Sequence, residues 1–132
     1  MSLWQEHNMD DRVRAALQSV HLGNPHGHHF GRPYISPYQI AISLVEADPQ
    51  LLGALGKEIG GRGTGAQHSL AQYVANELSR GIRTQGDQHY VEGAFLSNER
   101  VRSVVYEGPG GQEIVSSLVG TDFDMSLFRL RE

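Results

Sequence analysis

The sequence predicts a single α+β domain in which about four helices pack on one face of a three- to four-stranded antiparallel meander. Up to residue 82 apolar residues recur with helical spacing, whereas from residue 89 onward short alternating segments are separated by glycine-containing turns. Helices and strands that are segregated in this way favour an α+β fold over an alternating α/β fold. The 132 residues match the size of one ordinary domain, so we assign residues 1–132 to one unit, with a helical part over 8–82 and a β part over 89–131.

The composition excludes several classes of protein. The absence of cysteine rules out disulfide scaffolds, thiolate zinc sites and cysteine nucleophiles. With 11 basic and 15 acidic residues the chain has a formal net charge of −4, which argues against a whole-domain surface for nucleic acid but allows a local basic patch. No apolar run has the length of a membrane span and the first residues lack a secretory pattern, so we expect a cytoplasmic protein with no membrane partner.

Two helices are predicted in the first third of the chain. The first spans Met9–His21, where Asn8 can act as the N-cap and the apolar residues form one stripe. The second begins after Ser36, because Ser36 and Gln39 have the spacing of a capping box and Pro37 suits the first helical position. This second helix is apolar on nearly every side, so we expect it to form the buried centre of the helical part.

Two further helices complete the helical part. One runs from Asp48 to about Ile59, although Gly53 and Gly56 weaken it. A glycine-rich turn over Gly60–Gly65 follows. The last predicted helix spans Ala66–Arg80, and its inward stripe consists of Leu70, Ala71, Val74 and Leu78.

The β part is predicted to contain four strands. They are Tyr90–Leu96, Arg100–Glu107, Glu113–Val119 and Phe123–Leu130. In the last strand Phe128 and Leu130 have the opposite parity to the other apolar residues, so either a β-bulge reorients the chain or both faces of the strand are covered. We expect the bulge. A terminal strand of this kind leaves an open sheet edge and apolar surface, which predicts a homodimer.

A histidine cluster is the first candidate for chemistry. His26, His28 and His29 lie in one glycine- and proline-containing segment, and neutral imidazole is a common ligand for zinc, copper or nickel. Spaced zinc motifs such as HEXXH are absent, and loop histidines more often only contact solvent. Apart from such a metal, the sequence predicts no cofactor.

The second candidate is the glycine-rich turn that precedes the last helix. Backbone N–H groups at a helix start can bind an anion, and Arg62 and Thr64 could add donors. The turn does not follow a strand and lacks the Lys-Ser/Thr ending of a P-loop, so neither nucleotide-binding fingerprint is present. A flexible connection between helices is the alternative interpretation.

The third candidate is the outward face of the last helix. This face carries amides and hydroxyls where solvated helices usually carry Glu and Lys, and its residues are Ser69, Gln72, Asn76, Ser79 and Arg80. Such groups read base edges or form polar protein interfaces, so the partner is a protein or a nucleic acid.

Two functions follow from these candidates. The favoured one is a small noncatalytic binding or regulatory module that uses the polar helix face, with Arg62, Thr64, Gln72, Asn76 and Arg80 as binding residues. The alternative is a small enzyme or ligand-binding protein with a pocket between the His26–Tyr34 loop and the Gly60–Gly65 turn.

Overall fold

The computed structural model describes residues 2–20, 30–118, 121 and 123–131. Within these residues there are five α-helices: α1 (Leu3–Glu6), α2 (Met9–Gln18), α3 (Pro37–Ala47), α4 (Leu51–Leu55) and α5 (Leu70–Gln85). The strands are β1 (Val91–Leu96), β2 (Val105–Glu107), β3 (Glu113–Val115) and β4 (Met125–Leu130). Short 3-10 turns occupy Ala66–His68, Gly86–Gln88 and Pro109–Gly111. The predicted α+β class is confirmed, and no helix in the described part of the chain is both long and apolar enough to cross a membrane.

The strands form two antiparallel pairs, β1 with β4 and β2 with β3, so their pairing is nested rather than sequential as in the predicted meander. The residues that follow β1 explain the difference. The amide side chain of Asn98 donates to the carbonyls of Leu118 (3.0 Å) and Thr121 (2.7 Å), and the Asn98 N–H donates to Asp124 Oδ1 (2.8 Å). These bonds hold the end of β1 beside the start of β4, and the β2–β3 hairpin lies between them in the chain.

Helix α3 has the predicted start and the predicted burial. The Ser36 hydroxyl accepts from the Gln39 N–H (3.3 Å), and the Gln39 side-chain oxygen accepts from the Ser36 N–H (2.7 Å). The capping box is therefore confirmed. Helix α3 packs between α2 and α5, and its buried side chains are Pro37, Tyr38, Ile40, Ala41, Ile42, Leu44 and Val45.

Helix α2 begins at Met9 as predicted but ends earlier than predicted. Asn8 occupies the N-cap position, but it has a left-handed backbone (φ 52°) and makes no side-chain cap bond, so the predicted capping by its side chain is wrong. It instead joins α1 to α2, and its N–H donates to Gln5 O (3.1 Å). The helix ends at Gln18 because the Ser19 hydroxyl bonds Ala16 O (2.7 Å), which competes with continuation of the helical ladder.

Helix α4 is shorter than predicted. It ends at Leu55 because Gly56 takes the left-handed conformation that commonly terminates helices (φ 66°). The chain then extends, and the carbonyls of Glu58 and Ile59 accept from the N–H groups of Leu70 (2.8 Å) and Ala71 (2.9 Å).

Helix α5 begins later and ends later than predicted. Ser69 is the N-cap and its hydroxyl accepts from the Gln72 N–H (3.1 Å), so Ala66–His68 form a separate 3-10 turn. Ser69 is only 5% exposed. The assignment of Ser69 to the outward face is therefore wrong, because its hydroxyl is used at the buried helix start.

Strand β4 contains no bulge. Its six residues pair one-to-one with β1, so the predicted bulge is wrong and both faces of the strand are covered instead. Phe128 lies on the face toward α5, beside Ile82. Met125, on the opposite face, accepts a hydrogen bond at sulfur from the Tyr106 hydroxyl of β2 (3.1 Å). Apolar residues of both parities are buried because a helix covers one face and the β2–β3 hairpin covers the other.

Candidate binding groove

A groove of about 670 Å³ opens between the first half of α5, the start of α3 and the β1–β4 sheet. The small side chains of Ala71 and Ala75 leave space along α5, where larger residues would close it. Phe95, near the end of β1, and Phe123, just before β4, form part of its lining. The groove therefore exists because alanines on one element face two aromatic residues on others.

The two phenylalanines are unusually exposed for their size. Phe95 is 74% and Phe123 is 70% accessible to solvent. Isolated exposed apolar residues are common on protein surfaces, but two phenylalanines beside one apolar groove form a contiguous patch. Patches of this kind mark surfaces that are covered by a ligand or a partner.

The polar groups at the base of the groove bond to one another. The Tyr38 hydroxyl accepts from the Ser117 N–H (2.9 Å) and lies 3.0 Å from Ser117 Oγ. The Tyr38 ring stacks on Tyr106 with 5.2 Å between the ring centroids. Burial raises the pKa of Tyr106 above its ordinary value, so the Tyr106 hydroxyl is neutral at physiological pH.

Asp124 supplies the only charge among the described lining residues of the groove. Its Oδ1 accepts from the Asn98 N–H, which fixes the carboxyl group at the rim between β1 and β4. The groove thus combines apolar walls, neutral hydroxyls and one carboxylate, and its electrostatic preference is for a positively charged group.

A second recess of about 300 Å³ continues along α5 beside the same two strands. Phe95 and Ser126 line both the groove and this recess. Gly93 and Ile82 also line it, and a β-carbon on Gly93 would lie 3.3 Å from Ile82 Cδ1. The recess is therefore open beside the edge of β1 because residue 93 has no side chain.

Three predicted binding residues lie together on α5. Gln72 is half-buried, lines the groove and donates from Nε2 to Asn76 Oδ1 (2.9 Å). Asn76 and Arg80 are exposed, and Arg80 pairs with Glu77 at 3.0 Å. The row of Gln72, Asn76 and Arg80 thus extends outward from the groove, although its role in binding stays a prediction.

The other two predicted binding residues lie in the glycine-rich turn, beside β3. The Arg62 N–H donates to Val115 O (2.9 Å), and the Thr64 N–H donates to Gly61 O (3.1 Å). The N–H groups at the start of α5 bond to the carbonyls of residues 58 and 59 and to Ser69, so they are occupied within the chain. Anion binding by Arg62 and Thr64 stays a prediction that would depend on their side chains.

The predicted metal ligands His26, His28 and His29 lie outside the described residues. Within the described ranges, no group of three or more metal-ligating side chains comes together. The alternative pocket also depends on this segment. Residues 30–34 of the His26–Tyr34 loop are described, and among them Tyr34 lies under the Arg129 guanidinium of β4 (4.5 Å), whereas the glycine-rich turn lies against β3.

Sequence reasoning missed Phe95, Phe123 and Ala75 as parts of a site. Ala71 and Ala75 are one helical turn apart, which is a weak sign of space beside a helix. The exposure of the two phenylalanines depends on the nested strand pairing, which has no local signal in the sequence.

Comparison with models of protein families, with curated proteins and with solved structures finds no match for this chain.

Proposed function

We propose that the protein is a noncatalytic binding module whose groove receives an apolar segment of a partner protein. The observation that carries this proposal is the pair of phenylalanines, 74% and 70% exposed, beside an apolar groove of about 670 Å³. A groove of that size accommodates a few side chains or a small ligand. Covering the phenylalanines would remove a large apolar area from water, which favours association.

Charge supports a protein partner over a nucleic acid. The chain has a net charge of −4, and the described lining of the groove carries one carboxylate, Asp124. Of the two cations on α5, Arg80 is paired with Glu77, and Arg83 lines the recess and not the groove. A phosphate backbone would meet little positive charge here, whereas an apolar segment with a neighbouring Lys or Arg would complement Asp124.

The amides of Gln72 and Asn76 give the groove a polar margin. Their mutual hydrogen bond fixes the two side chains at one helical turn of spacing, while Asn76 remains exposed. Polar groups at the margin of an apolar contact orient a partner more than they add affinity. We therefore assign apolar contact to the groove and orientation to this row.

A displayed library of random peptides, selected on the intact protein, tests the proposal. The selected peptides should share apolar residues near a basic residue and should compete with one another. Ala75→Leu, which places a larger side chain into the groove, should weaken their binding at least tenfold. Ala15→Leu, the same change on an exposed residue of α2, is the matched control and should have no effect.

A second variant keeps the test valid if Ala75→Leu folds poorly. Phe123→Ser removes an exposed ring from the lining and should also weaken binding, with an unchanged circular dichroism spectrum. Failure to select any peptide, or equal binding to Phe123→Ser and the unmodified protein, would overturn the proposal.

A further inference from the structure

Strand β1 has one open edge. Phe128 of β4 uses its N–H (2.8 Å) and its carbonyl (2.9 Å) to bond Ile35, on the side away from β1. Gly93 of β1 lies opposite Phe128 in the register. Since the N–H and carbonyl of Phe128 point away from β1, Gly93 and Phe128 form a non-hydrogen-bonded pair, and such pairs alternate with hydrogen-bonded ones in antiparallel ladders. By the same alternation, Gly93 and Phe95 direct their N–H and carbonyl groups away from β4. Within the described residues, these backbone groups have no strand partner.

In the part of the chain that the structure describes, this edge lacks the usual protection against pairing. Residues 93–96 are exposed and carry no charge, no proline and no bulge. Phe95 and Leu96, which is 43% exposed, add apolar surface. Proteins commonly protect such edges with lysine, proline or a covering element, so an unprotected edge favours pairing with another strand.

We propose that β1 pairs antiparallel with β1 of a second copy of this chain, with Ala94 of each copy on the two-fold axis. The outward backbone groups belong to Gly93 and Phe95, so a hydrogen-bonded register must pair residues of this parity. With Ala94 on the axis, Gly93 of one copy pairs with Phe95 of the second copy, and the reverse pair follows by symmetry. The two sheets then join into one four-stranded sheet.

The fit of Phe95 to the recess selects this register. Gly93 and Phe95 lie on the same face of β1, the face toward α5, because side chains alternate along a strand. Phe95 of the second copy would therefore lie over Gly93, where the recess of about 300 Å³ is open. A register centred on residue 93 would instead place Gly93 opposite Gly93 of the second copy. A register centred on residue 95 would place the two Phe95 rings opposite each other.

The charges of β1 also permit this register. Glu92 is the only charged residue in β1, and pairing about Ala94 places it opposite Leu96 of the second copy. No two like charges then lie directly across from one another. Glu92 keeps its ion pair with Arg129 on its own copy, because Arg129 lies on the β4 side. A second copy is thus a complementary partner for the same edge.

A charge-exchange experiment tests the dimer. Light scattering with size-exclusion chromatography should give the unmodified protein twice the mass of one chain at high micromolar concentration. Ala94→Lys places two like charges across the axis and should halve that mass, and Ala94→Glu should do the same. An equimolar mixture of the two variants should return to the dimer mass. A monomeric unmodified protein, or dimers that persist in both variants, would overturn the proposal.

Because the chain has no cysteine, a single introduced cysteine reports the register. Ala94→Cys should form a disulfide-linked dimer under mild oxidation, since residues opposite each other in a non-hydrogen-bonded pair have nearby β-carbons. Leu96→Cys, also exposed on β1, is the control, because its two copies would lie roughly 13 Å apart along the strands. Equal crosslinking of the two variants would overturn the register.

The dimer and the proposed peptide groove share Phe95 and Ser126, but Ala75 lines only the groove and Ala94 lines only the recess, so variants of these two alanines can separate the two proposals. Ala75→Leu should weaken peptide binding at least tenfold and retain the dimer mass. Ala94→Lys should retain peptide binding and lose the dimer mass. Loss of both properties in either variant would contradict the assignment of Ala75 to the groove alone and of Ala94 to the dimer contact alone.

Discussion

Gly81 of α5 lies directly against the imidazole of His89, so that a β-carbon at residue 81 would be 2.2 Å from His89 Nε2. The imidazole is buried, and its Nδ1 lies 3.3 Å from both the N–H and the carbonyl oxygen of Val91. The ring therefore has little freedom to move. The contact sets the distance between α5 and the start of β1. Strand β1 contributes to the lining of the groove and also has the open sheet edge.

This contact predicts that Gly81→Ala destabilises the fold. Alanine favours a helix by about 1 kcal/mol over glycine, but a methyl group forced against a buried ring costs about 1–3 kcal/mol. We expect a net loss of up to about 2 kcal/mol in the free energy of unfolding, and a loss of about 1–3 kcal/mol relative to a helical glycine with no such contact, measured by urea denaturation. Gly53→Ala is the matched control, since Gly53 is also helical and a β-carbon added to it would have no neighbouring atom within 4 Å. A Gly81→Ala protein as stable as Gly53→Ala would contradict the steric interpretation.

The capping box at α3 gives a second prediction. Ser36→Ala removes the acceptor for the Gln39 N–H at the start of the central helix, and should lower the free energy of unfolding by about 1 kcal/mol. Ser2→Ala removes the same type of box from α1, which has only four residues, and should cost much less. Equal thermal midpoints for Ser36→Ala and the unmodified protein would count against the cap.

The capping box and the nested sheet differ in how far apart in the chain their causes lie. The capping box was predictable because its cause lies within four residues, from Ser36 to Gln39. The nested sheet was not, because the bonds from Asn98 to Leu118 and Thr121 join residues far apart in the chain. The polar row on α5 followed from helical periodicity, whereas the groove beside it depends on where β1 and β4 lie.

Because the Tyr90 hydroxyl is largely buried, we expect the protein to lose stability at alkaline pH. Burial raises the pKa of Tyr90 well above its ordinary value, and the hydrogen bond from its hydroxyl to Asp10 Oδ1 (2.7 Å) raises it further. The folded state keeps the neutral phenol where the unfolded chain ionises, so the stability that Tyr90 contributes is complete below about pH 10 and falls as the pH rises above it.

Urea denaturation between about pH 8 and pH 11 measures this effect. Tyr90→Phe should make the decline less steep, although Tyr73 and Tyr106, whose pKa values burial also raises, should maintain part of it. Asp10→Asn is the control, because it removes the carboxylate and keeps the burial, and should give an intermediate slope. Parallel pH profiles for Tyr90→Phe and the unmodified protein would contradict the assignment to Tyr90.

The last prediction concerns the polar row on α5, which carries the orienting role in the proposed binding. Replacing Gln72, Asn76 and Arg80 together with Ala removes both partners of the Gln72–Asn76 bond, so neither amide is left unpaired. The Arg80–Glu77 pair is on the helix surface and contributes little, so we expect the free energy of unfolding to change by no more than about 0.5 kcal/mol.

Peptides selected on the groove should bind the triple variant several-fold more weakly, as measured by fluorescence anisotropy. The control is Gln18→Ala with Glu46→Ala, on exposed residues of other helices, which should leave binding unchanged. A destabilised triple variant would mean that the row supports the core, and a stable one with full peptide affinity would mean that the row is only solvated. If nucleic acid binds instead, affinity for a short duplex should fall steeply with salt and should also be lost in the triple variant, because counterion release drives phosphate binding.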